Sequence, residues 1–162
     1  MTIKVGDRLP NVTLTQATAE GPKPIQSEEF FKGRKVALFA VPGAFTPTCS
    51  AKHMPGYVEN MAAFRERGVD VACLSVNDAF VMGAWAKDQH VPADLHMLAD
   101  GNGAFTQALG LELDATAFGM GLRAKRFALY AEDGVVKQLH VEAPGEFKVS
   151  AADYVLAQLP AA

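Results

Sequence analysis

Cysteine is scarce in this sequence, which contains two of them, Cys49 and Cys73, among 162 residues. Two thiols are too few for the disulfide framework of a small secreted domain, and they do not stand at the spacing of metal ligands. A lone exposed thiol in a reducing compartment is instead a candidate for chemistry. The cysteine content therefore excludes a disulfide scaffold and directs attention to a reactive thiol.

Positive charge and long apolar runs are also missing. The formal net charge is −3, and without a basic stripe that neutralises phosphates we expect no binding to nucleic acid. No uninterrupted apolar stretch approaches the ~18 residues of a membrane span. The opening residues, MTIKVGDRLPNVTL, lack the apolar segment of a secretory signal. We therefore expect a soluble protein that is located in the cytoplasm and binds no membrane.

The chain contains no internal repeat, no low-complexity tract and no linker long enough to separate two domains. Its 162 residues, 49% of them hydrophobic, are sufficient for one core. We therefore predict a single domain over residues 1–162.

Two apolar patterns alternate in the first ninety residues. Continuous apolar runs predict strands at 35–41 and 69–76 that are covered on both faces. Apolar residues at three- and four-residue spacing predict a helix over 54–64, ended by Gly68, and another over about 79–90. This order of strands and helices is typical of a parallel sheet that is flanked by helices.

Shorter elements are predicted from local signals. The first thirty residues are rich in turn formers, and they predict a short strand around 12–14 followed by a turn at 21–24. Other short elements are a helix cap at Asn77 or Asp78, a strand at 95–98, a turn at 100–103 and a helix near 104–109.

The last third of the chain predicts an antiparallel hairpin. Strand-like runs at 126–130 and 135–141 are joined around Asp133-Gly134, and Ser150 is expected to cap a closing helix that runs through Leu159. An antiparallel hairpin added to parallel strands gives a mixed sheet. The predicted fold class is therefore α/β, with a thioredoxin-like arrangement of a mixed central sheet and flanking helices.

The segment from Pro42 to Cys49, PGAFTPTC, joins a buried strand to a helix. Thr46 can be the N-cap and Pro47 the first helical residue. Cys49 then lies in the first turn, where free N–H groups and the helix dipole favour an anion, and the thiolate is the nucleophilic form of cysteine. We expect Cys49 to be exposed and reactive; the alternative is a cysteine buried as a small apolar residue.

The run PGAFTPTCS resembles the active-site signature of the peroxiredoxins, in the version typical of the peroxiredoxin-5-like (type II) subfamily of the AhpC/TSA superfamily. Further matching blocks follow in order, at 52–56, 71–78, 118–121 and 125–127. The resemblance implies a thiol-dependent peroxidase that reduces hydrogen peroxide and small alkyl hydroperoxides. It also implies that the protein uses neither a metal nor another cofactor.

The resemblance assigns roles to individual residues. Cys49 is expected to be the peroxidatic cysteine, Thr46 its hydroxyl partner and Pro42 a shielding residue. Arg126 is expected to hold the thiolate and the peroxide with its permanent charge. Attack on the peroxide turns the cysteine into a sulfenic acid. The residues expected to line the peroxide site are Gly43, Phe45 and Met120.

Other polar residues near these positions also have ordinary interpretations. One alternative is a solvated basic turn made of Arg123, Lys125 and Arg126; the resemblance favours Arg126 at the site and leaves Arg123 without a role. His53 follows Cys49 by one helical turn, but no protease signature accompanies the pair, so we expect a structural or supporting residue. Trp85 is expected to belong to the core or to an interface.

The sequence offers no well-placed second thiol for the reaction cycle. The region where some relatives carry a resolving cysteine, 142–151, has none, and Cys73 lies in the middle of an apolar strand. We therefore predict a one-cysteine cycle in which glutathione or glutaredoxin, ahead of thioredoxin, restores the thiol.

Two further questions concern partners and role. The resemblance implies a homodimer, and exposed apolar side chains at Phe45, Phe80 or Phe118 would fit its interface. The alternative to an enzyme is a redox sensor that passes the same sulfenic acid to a partner protein. A dithiol reductase is disfavoured because no second cysteine stands two residues after Cys49.

Overall fold

A seven-stranded mixed sheet forms the centre of the computed structural model, which describes residues 2–160. Its strands are β1 (Thr13–Thr18), β2 (Gly21–Gln26), β3 (Lys35–Ala40), β4 (Asp70–Ser75), β5 (Leu95–Ala99), β8 (Phe127–Glu132) and β9 (Val135–Val141). They lie in the order β2-β1-β5-β4-β3-β8-β9. The β3–β4 and β4–β5 pairs are parallel and the other pairs are antiparallel. The thioredoxin-like α/β fold predicted from the sequence is thus confirmed.

The helices and a small second sheet surround this central sheet. The helices are α1 (Ser27–Phe31), α2 (Met54–Glu59), α3 (Met61–Glu66), α4 (Ala79–Asp88), α5 (Ala104–Leu109) and α6 (Ala152–Gln158). A π-helical turn, Cys49–His53, precedes α2, and a 3₁₀ turn covers Thr116–Phe118. The second sheet pairs β6 (Glu112–Asp114) with β7 (Leu122–Ala124). No helix among residues 2–160 is long and apolar enough to span a membrane.

The continuous apolar runs arise because the central strands are covered on both faces. Alternate residues of β3 point to opposite sides, so Phe39 packs with α2, α3, α4 and α6, and Leu38 packs with α1 and α5. Cys49 and Cys73 both belong to the core on the side of Phe39. At ~25 cal/mol for each Å² of buried apolar surface, these two cores supply the main force for folding.

The N-terminal hairpin corrects the prediction of a short strand at 12–14 followed by a turn at 21–24. Residues 21–24, predicted to be a turn, form most of β2, which pairs with β1. Pro22 and Pro24 are tolerated there because β2 is the edge strand of the sheet, where a missing N–H leaves no neighbour unpaired. The short strand predicted at 12–14 is therefore the start of a longer hairpin.

Two predictions about helices also need correction. The single helix predicted over 54–64 is interrupted at Asn60, whose φ of −100° and ψ of 7° separate α2 from α3. Ser150 does not cap α6, because the N-cap is Ala151 and the Ser150 hydroxyl donates to Glu142 instead. In contrast, the cap at Asp78 is confirmed, since its carboxylate accepts from the Val81 N–H at 2.8 Å.

Strand register determines which segments meet at the edge where β3 and β4 end. Ala40 is the last residue of β3, and it pairs with Phe127, the first residue of β8. Because β3 and β8 are antiparallel, the residue before Phe127 lies beside the residues that follow Ala40. Arg126, which we predicted to begin a strand, therefore precedes the strand and lies next to the loop that leads to Cys49.

Candidate active site

The loop from Pro42 to Thr48 is held by side chains from another strand end. The Ala44 N–H donates to Asn77 Oδ1 at 3.0 Å, and the Ser75 hydroxyl donates to the same oxygen at 2.6 Å. Phe45 adopts a left-handed φ of 62° with its ring half exposed. A bulky residue rarely adopts this conformation, and strained backbone of this kind concentrates at functional sites.

Thr46 begins the helix, but it does so through its backbone. Its carbonyl accepts from the Ser50 N–H at 2.9 Å, as an N-cap carbonyl does. Its hydroxyl points backwards and donates to the Gly43 carbonyl at 2.6 Å, so it does not cap a first-turn N–H. With its proton engaged there, the Thr46 oxygen retains lone pairs that can accept a hydrogen bond.

Cys49 is fully buried, which corrects the prediction of an exposed thiol. After the helical residues Pro47 and Thr48 the chain continues as a π turn, in which the Met54 N–H bonds to the Cys49 carbonyl, and Cys49 belongs to the core that contains Phe39 and Tyr57. Isolated π turns are frequent at functional sites. The thiol is not, however, surrounded only by apolar atoms, because Arg126 Nη2 donates to its Sγ at 3.1 Å.

Arg126 links Cys49 to His53. Its other terminal nitrogen, Nη1, lies 2.7 Å from His53 Nδ1, and its guanidinium carbon lies 6.0 Å from the centre of the Phe147 ring. Burial, followed by the charge of Arg126, lowers the pKa of His53 to about 3. His53 is therefore neutral near pH 7, so Nδ1 accepts from Arg126 while Nε2 donates to the Ser150 carbonyl at 3.1 Å.

Gly43 and Met120 occupy the other side of the loop. A Cβ atom on Gly43 would lie 2.9 Å from Arg123 Nη1, 3.1 Å from Thr46 Cγ2 and 3.5 Å from Met120 Cε. A side chain at position 43 would therefore displace its neighbours. Of the three residues expected to line a peroxide site, Gly43 and Met120 are thus brought together beside Thr46, whereas the Phe45 side chain is 53% exposed.

Arg123 is a site residue that the sequence analysis left without a role. Its Nε donates to the Met120 carbonyl at 2.9 Å, and its Nη1 reaches the Pro42 carbonyl at 3.3 Å. The small β6–β7 sheet, which we did not predict, returns the chain so that Arg123 reaches the loop. The sequence did contain one indication of this role. Arg123 stands three residues before Arg126 and directly follows the turns at Gly119 and Gly121.

A cleft of about 460 Å³ opens beside this group of residues. Its walls include Pro42, Thr48 and Arg126 from the site, together with the apolar side chains of Leu113, Phe118 and Pro144. Pro42 is half-buried there, which is compatible with its predicted shielding role. A mostly apolar cleft with a few polar groups is typical of a small-molecule site.

Cys73 lies at the centre of β4, opposite Phe39 of β3, and it is fully buried. Burial, and secondly the nearby Cys49, raise the pKa of the Cys73 thiol well above its ordinary value. Both cysteines are free thiols. Because a protonated thiol is a poor nucleophile, Cys73 has the environment of a structural cysteine.

The remaining predicted residues have clear positions. Trp85 is fully buried, as expected for a core residue, and its indole N–H donates to Ser50 Oγ at 3.0 Å. The side chains of Phe45, Phe80 and Phe118 are 53%, 76% and 82% exposed. Within residues 2–160, no group of three or more His, Cys, Asp or Glu side chains has the geometry of a metal site.

Comparisons with known proteins give a consistent result. A family profile described as Redoxin matches residues 4–156. Peroxiredoxin-2E, chloroplastic, from Arabidopsis thaliana is 48% identical over 97% of this chain and 69% of its own. The structure of reduced Prx3 in complex with H2O2 from Vibrio vulnificus has a TM-score of 0.91 and 52% identity, over 96% of this chain and 98% of its own. The Plasmodium falciparum antioxidant protein, described as a 1-Cys peroxiredoxin, has a TM-score of 0.87 and 29% identity, over 94% of this chain and 96% of its own.

Proposed function

Because this chain belongs to the Redoxin family and is a peroxiredoxin, a thiol-dependent peroxidase, we propose that Cys49 is the cysteine that attacks the peroxide. We propose hydrogen peroxide and small alkyl hydroperoxides as its substrates. The observation that carries the proposal is the guanidinium of Arg126, which donates to Cys49 Sγ at 3.1 Å. A permanent positive charge at the sulfur favours the thiolate, the form that attacks.

In the proposed reaction the Cys49 thiolate forms a bond to one peroxide oxygen while the O–O bond breaks. The second oxygen takes up a proton and leaves as water or as an alcohol, and Cys49 becomes a sulfenic acid. Negative charge moves from the sulfur to the leaving oxygen during this step. We propose that Arg126, which donates to the sulfur, and the N–H groups of the first helical turn stabilise that charge.

Thr46 has a proposed role as an acceptor. Because its hydroxyl proton is donated to the Gly43 carbonyl, its lone pairs are free for the O–H of a hydroperoxide. Gly43 and Met120 pack beside it, and Pro42 and Thr48 border the cleft through which a peroxide can approach. We propose that these residues orient the substrate for attack along the O–O bond.

We further propose a one-cysteine cycle in which an external thiol reduces the sulfenic acid. Cys73 supports this proposal, because its thiol is fully buried in β4 and burial raises its pKa. The similar Plasmodium falciparum protein is described as a 1-Cys peroxiredoxin. The cleft of about 460 Å³ beside Arg126 has room for a small thiol. We propose glutathione or glutaredoxin, ahead of thioredoxin, as the reductant.

Steady-state peroxide consumption with a single reductant tests the cycle. We expect turnover with glutathione and glutaredoxin, slower turnover with thioredoxin, and the same rates in Cys73→Ser. Loss of turnover in Cys73→Ser with every reductant would contradict the one-cysteine cycle. The wild-type protein without added thiol is the control, and it should consume one equivalent of peroxide and then stop.

Homodimer formation is a separate proposal. Phe45 belongs to the loop before Cys49, Phe118 borders the adjacent cleft, and both rings are exposed to solvent in the monomer. Burying them against a second copy would remove apolar surface from water. Sedimentation of the wild type and of Phe45→Ser tests this: we expect a dimer that dissociates in the variant, and a wild-type monomer would contradict it.

A sensor role is the second candidate, and the burial of Cys49 favours it. A sulfenic acid buried in the core would meet any external thiol slowly, so it would persist between encounters with a reductant or a partner protein. The same steady-state assay separates the two candidates, because an enzyme turns over many times and a sensor reacts once.

A further inference from the structure

Glu142 is a buried carboxylate that the proposed reaction does not use. It follows β9 directly, and its N–H donates to the Arg126 carbonyl at 3.0 Å across the end of the β8–β9 hairpin. The residue is only 8% exposed. Because burial of a carboxylate is costly unless the charge is hydrogen-bonded, its contacts require an explanation.

The carboxylate is bonded to the segment that leads into α6. Its Oε2 accepts from the Lys148 N–H at 2.7 Å, the Ser150 N–H at 2.8 Å and the Ser150 hydroxyl at 2.6 Å. Burial alone would raise the pKa of Glu142, but these hydrogen bonds together hold it below its ordinary value. The group is therefore an anion near pH 7, and it fixes the position of Ser150.

Ser150 in turn determines how His53 is oriented. Its carbonyl accepts from His53 Nε2 at 3.1 Å and from the Tyr57 hydroxyl at 2.7 Å. Because the ring proton is on Nε2, the Nδ1 of the neutral ring is an acceptor. It accepts a hydrogen bond from Arg126 Nη1 at 2.7 Å. The His53 ring is fully buried, so water cannot replace either partner without a rearrangement.

We infer that Glu142 is a positioning residue, which acts through Ser150 and His53 to hold the guanidinium of Arg126 against Cys49 Sγ. Glu142 fixes Arg126 in two ways. Its N–H bonds to the Arg126 carbonyl, and its carboxylate begins the hydrogen-bonded series through Ser150 and His53 that ends at Arg126 Nη1. The second terminal nitrogen, Nη2, is then directed at the sulfur. This inference rests on the proposed roles of Cys49 and Arg126.

The size of the expected effect follows from geometry. A long arginine side chain has many rotamers, and without His53 Nδ1 as a fixed acceptor it would spend less time at the sulfur. Small misplacements of a charged donor at a reacting atom reduce rates strongly. We expect Glu142→Ala to lower the rate constant for oxidation of Cys49 by hydrogen peroxide about tenfold. Glu142→Gln, which retains one neutral acceptor, should lower it about threefold.

A double-mutant cycle with Arg126→Ala tests the inference, and the rate constant is measured by rapid-quench mass spectrometry of the Cys49 sulfenic acid. If Glu142 acts through Arg126, Glu142→Ala has no further effect in the Arg126→Ala background. A purely structural role would produce the same loss in both backgrounds, and that result overturns the inference. Asp153→Ala is the control, because this exposed carboxylate lies three residues after Ser150 and accepts from the N–H of the adjacent Tyr154.

Two further measurements separate the possible failures. If Arg126→Ala alone reacts as fast as the wild type, the proposed function of Arg126 fails before Glu142 is considered. If Arg126→Ala is slow while folded Glu142→Ala equals the wild type, only the role of Glu142 is overturned. Thermal unfolding establishes which variants fold. Should Glu142→Ala not fold, Glu142→Gln enters the same cycle, and a wild-type rate constant in that variant overturns the inference.

Discussion

Cys49 and Cys73 are both fully buried in the same core, yet their surroundings differ. Cys49 begins a π turn at a strand-to-helix junction and accepts a hydrogen bond from Arg126. Cys73 lies at the centre of a strand, where burial raises the pKa of its thiol well above the ordinary value. Burial is therefore not what separates the two sulfurs. The difference is a charged donor within hydrogen-bonding distance of Cys49.

Removing each sulfur in turn gives the largest expected contrast. We expect Cys49→Ser to abolish peroxide consumption with every thiol reductant. Cys73→Ser should keep the wild-type rate but lower the free energy of unfolding by about 1–3 kcal/mol, because it buries a hydroxyl in an apolar strand. Peroxide-loss kinetics and urea unfolding measure the two effects. If Cys49→Ser still consumed peroxide catalytically, the residue that reacts with peroxide would not be Cys49.

Removing the charged donor should make Cys49 resemble Cys73. We expect Arg126→Gln to lower the rate constant for peroxide about 10²- to 10³-fold, since one charge-stabilising donor is lost. Lys52→Gln is the matched control, because Lys52 is an exposed cation on the π turn and its loss removes the same charge. Equal rates in the two variants would contradict the role of Arg126.

His53 ties the surroundings of Cys49 to the pH dependence of folding. Burial and Arg126 lower its pKa from the ordinary 6.5 to about 3. Between these values the unfolded chain binds a proton that the folded protein does not, so stability falls as the pH is lowered from about 6.5 to about 3. Within this pH range we expect His53 to change the free energy of unfolding by about 1.4 kcal/mol per pH unit. Urea unfolding between pH 3 and pH 6.5 should show that the free energy of unfolding changes less steeply with pH in His53→Gln than in the wild type. An unchanged pH dependence would be evidence against His53 as its cause.

The smallest effect in this comparison of the two cysteines concerns the loop that presents Cys49. In Gly43→Ala the new Cβ would lie 2.9 Å from Arg123 Nη1 and push the guanidinium away from the Pro42 carbonyl. We expect the rate constant for the reaction of Cys49 with peroxide to fall about fivefold to tenfold, because the loop is no longer held in its orientation. This loss corresponds to an activation free energy that is higher by about 1 kcal/mol. Gly56→Ala is the control, since its Cβ would meet nothing closer than 3.9 Å. Similar rates in both variants would exclude Arg123 from positioning the loop.

Local patterns predicted much of this fold correctly. The runs at 35–41 and 69–76 are the central strands β3 and β4, because strands that are covered on both faces need apolar residues at every position. The hairpin at Asp133-Gly134 and the helix capped by Asp78 also follow from local rules. The prolines of β2 misled the prediction, since they are compatible with a strand only at the sheet edge.

The sequence by itself determined the chemistry of this protein. The segment from Pro42 to Cys49 and its resemblance to the peroxiredoxin signature identify the family, because a signature needs only residue types in order. The tertiary structure decided that Cys49 is buried, that Arg123 reaches Pro42 and that Glu142 connects to Arg126 through Ser150 and His53. These contacts depend on register and on chain reversals between residues far apart in the sequence. Local patterns do not encode such distances, so the surroundings of Cys49 emerge only when the chain is folded.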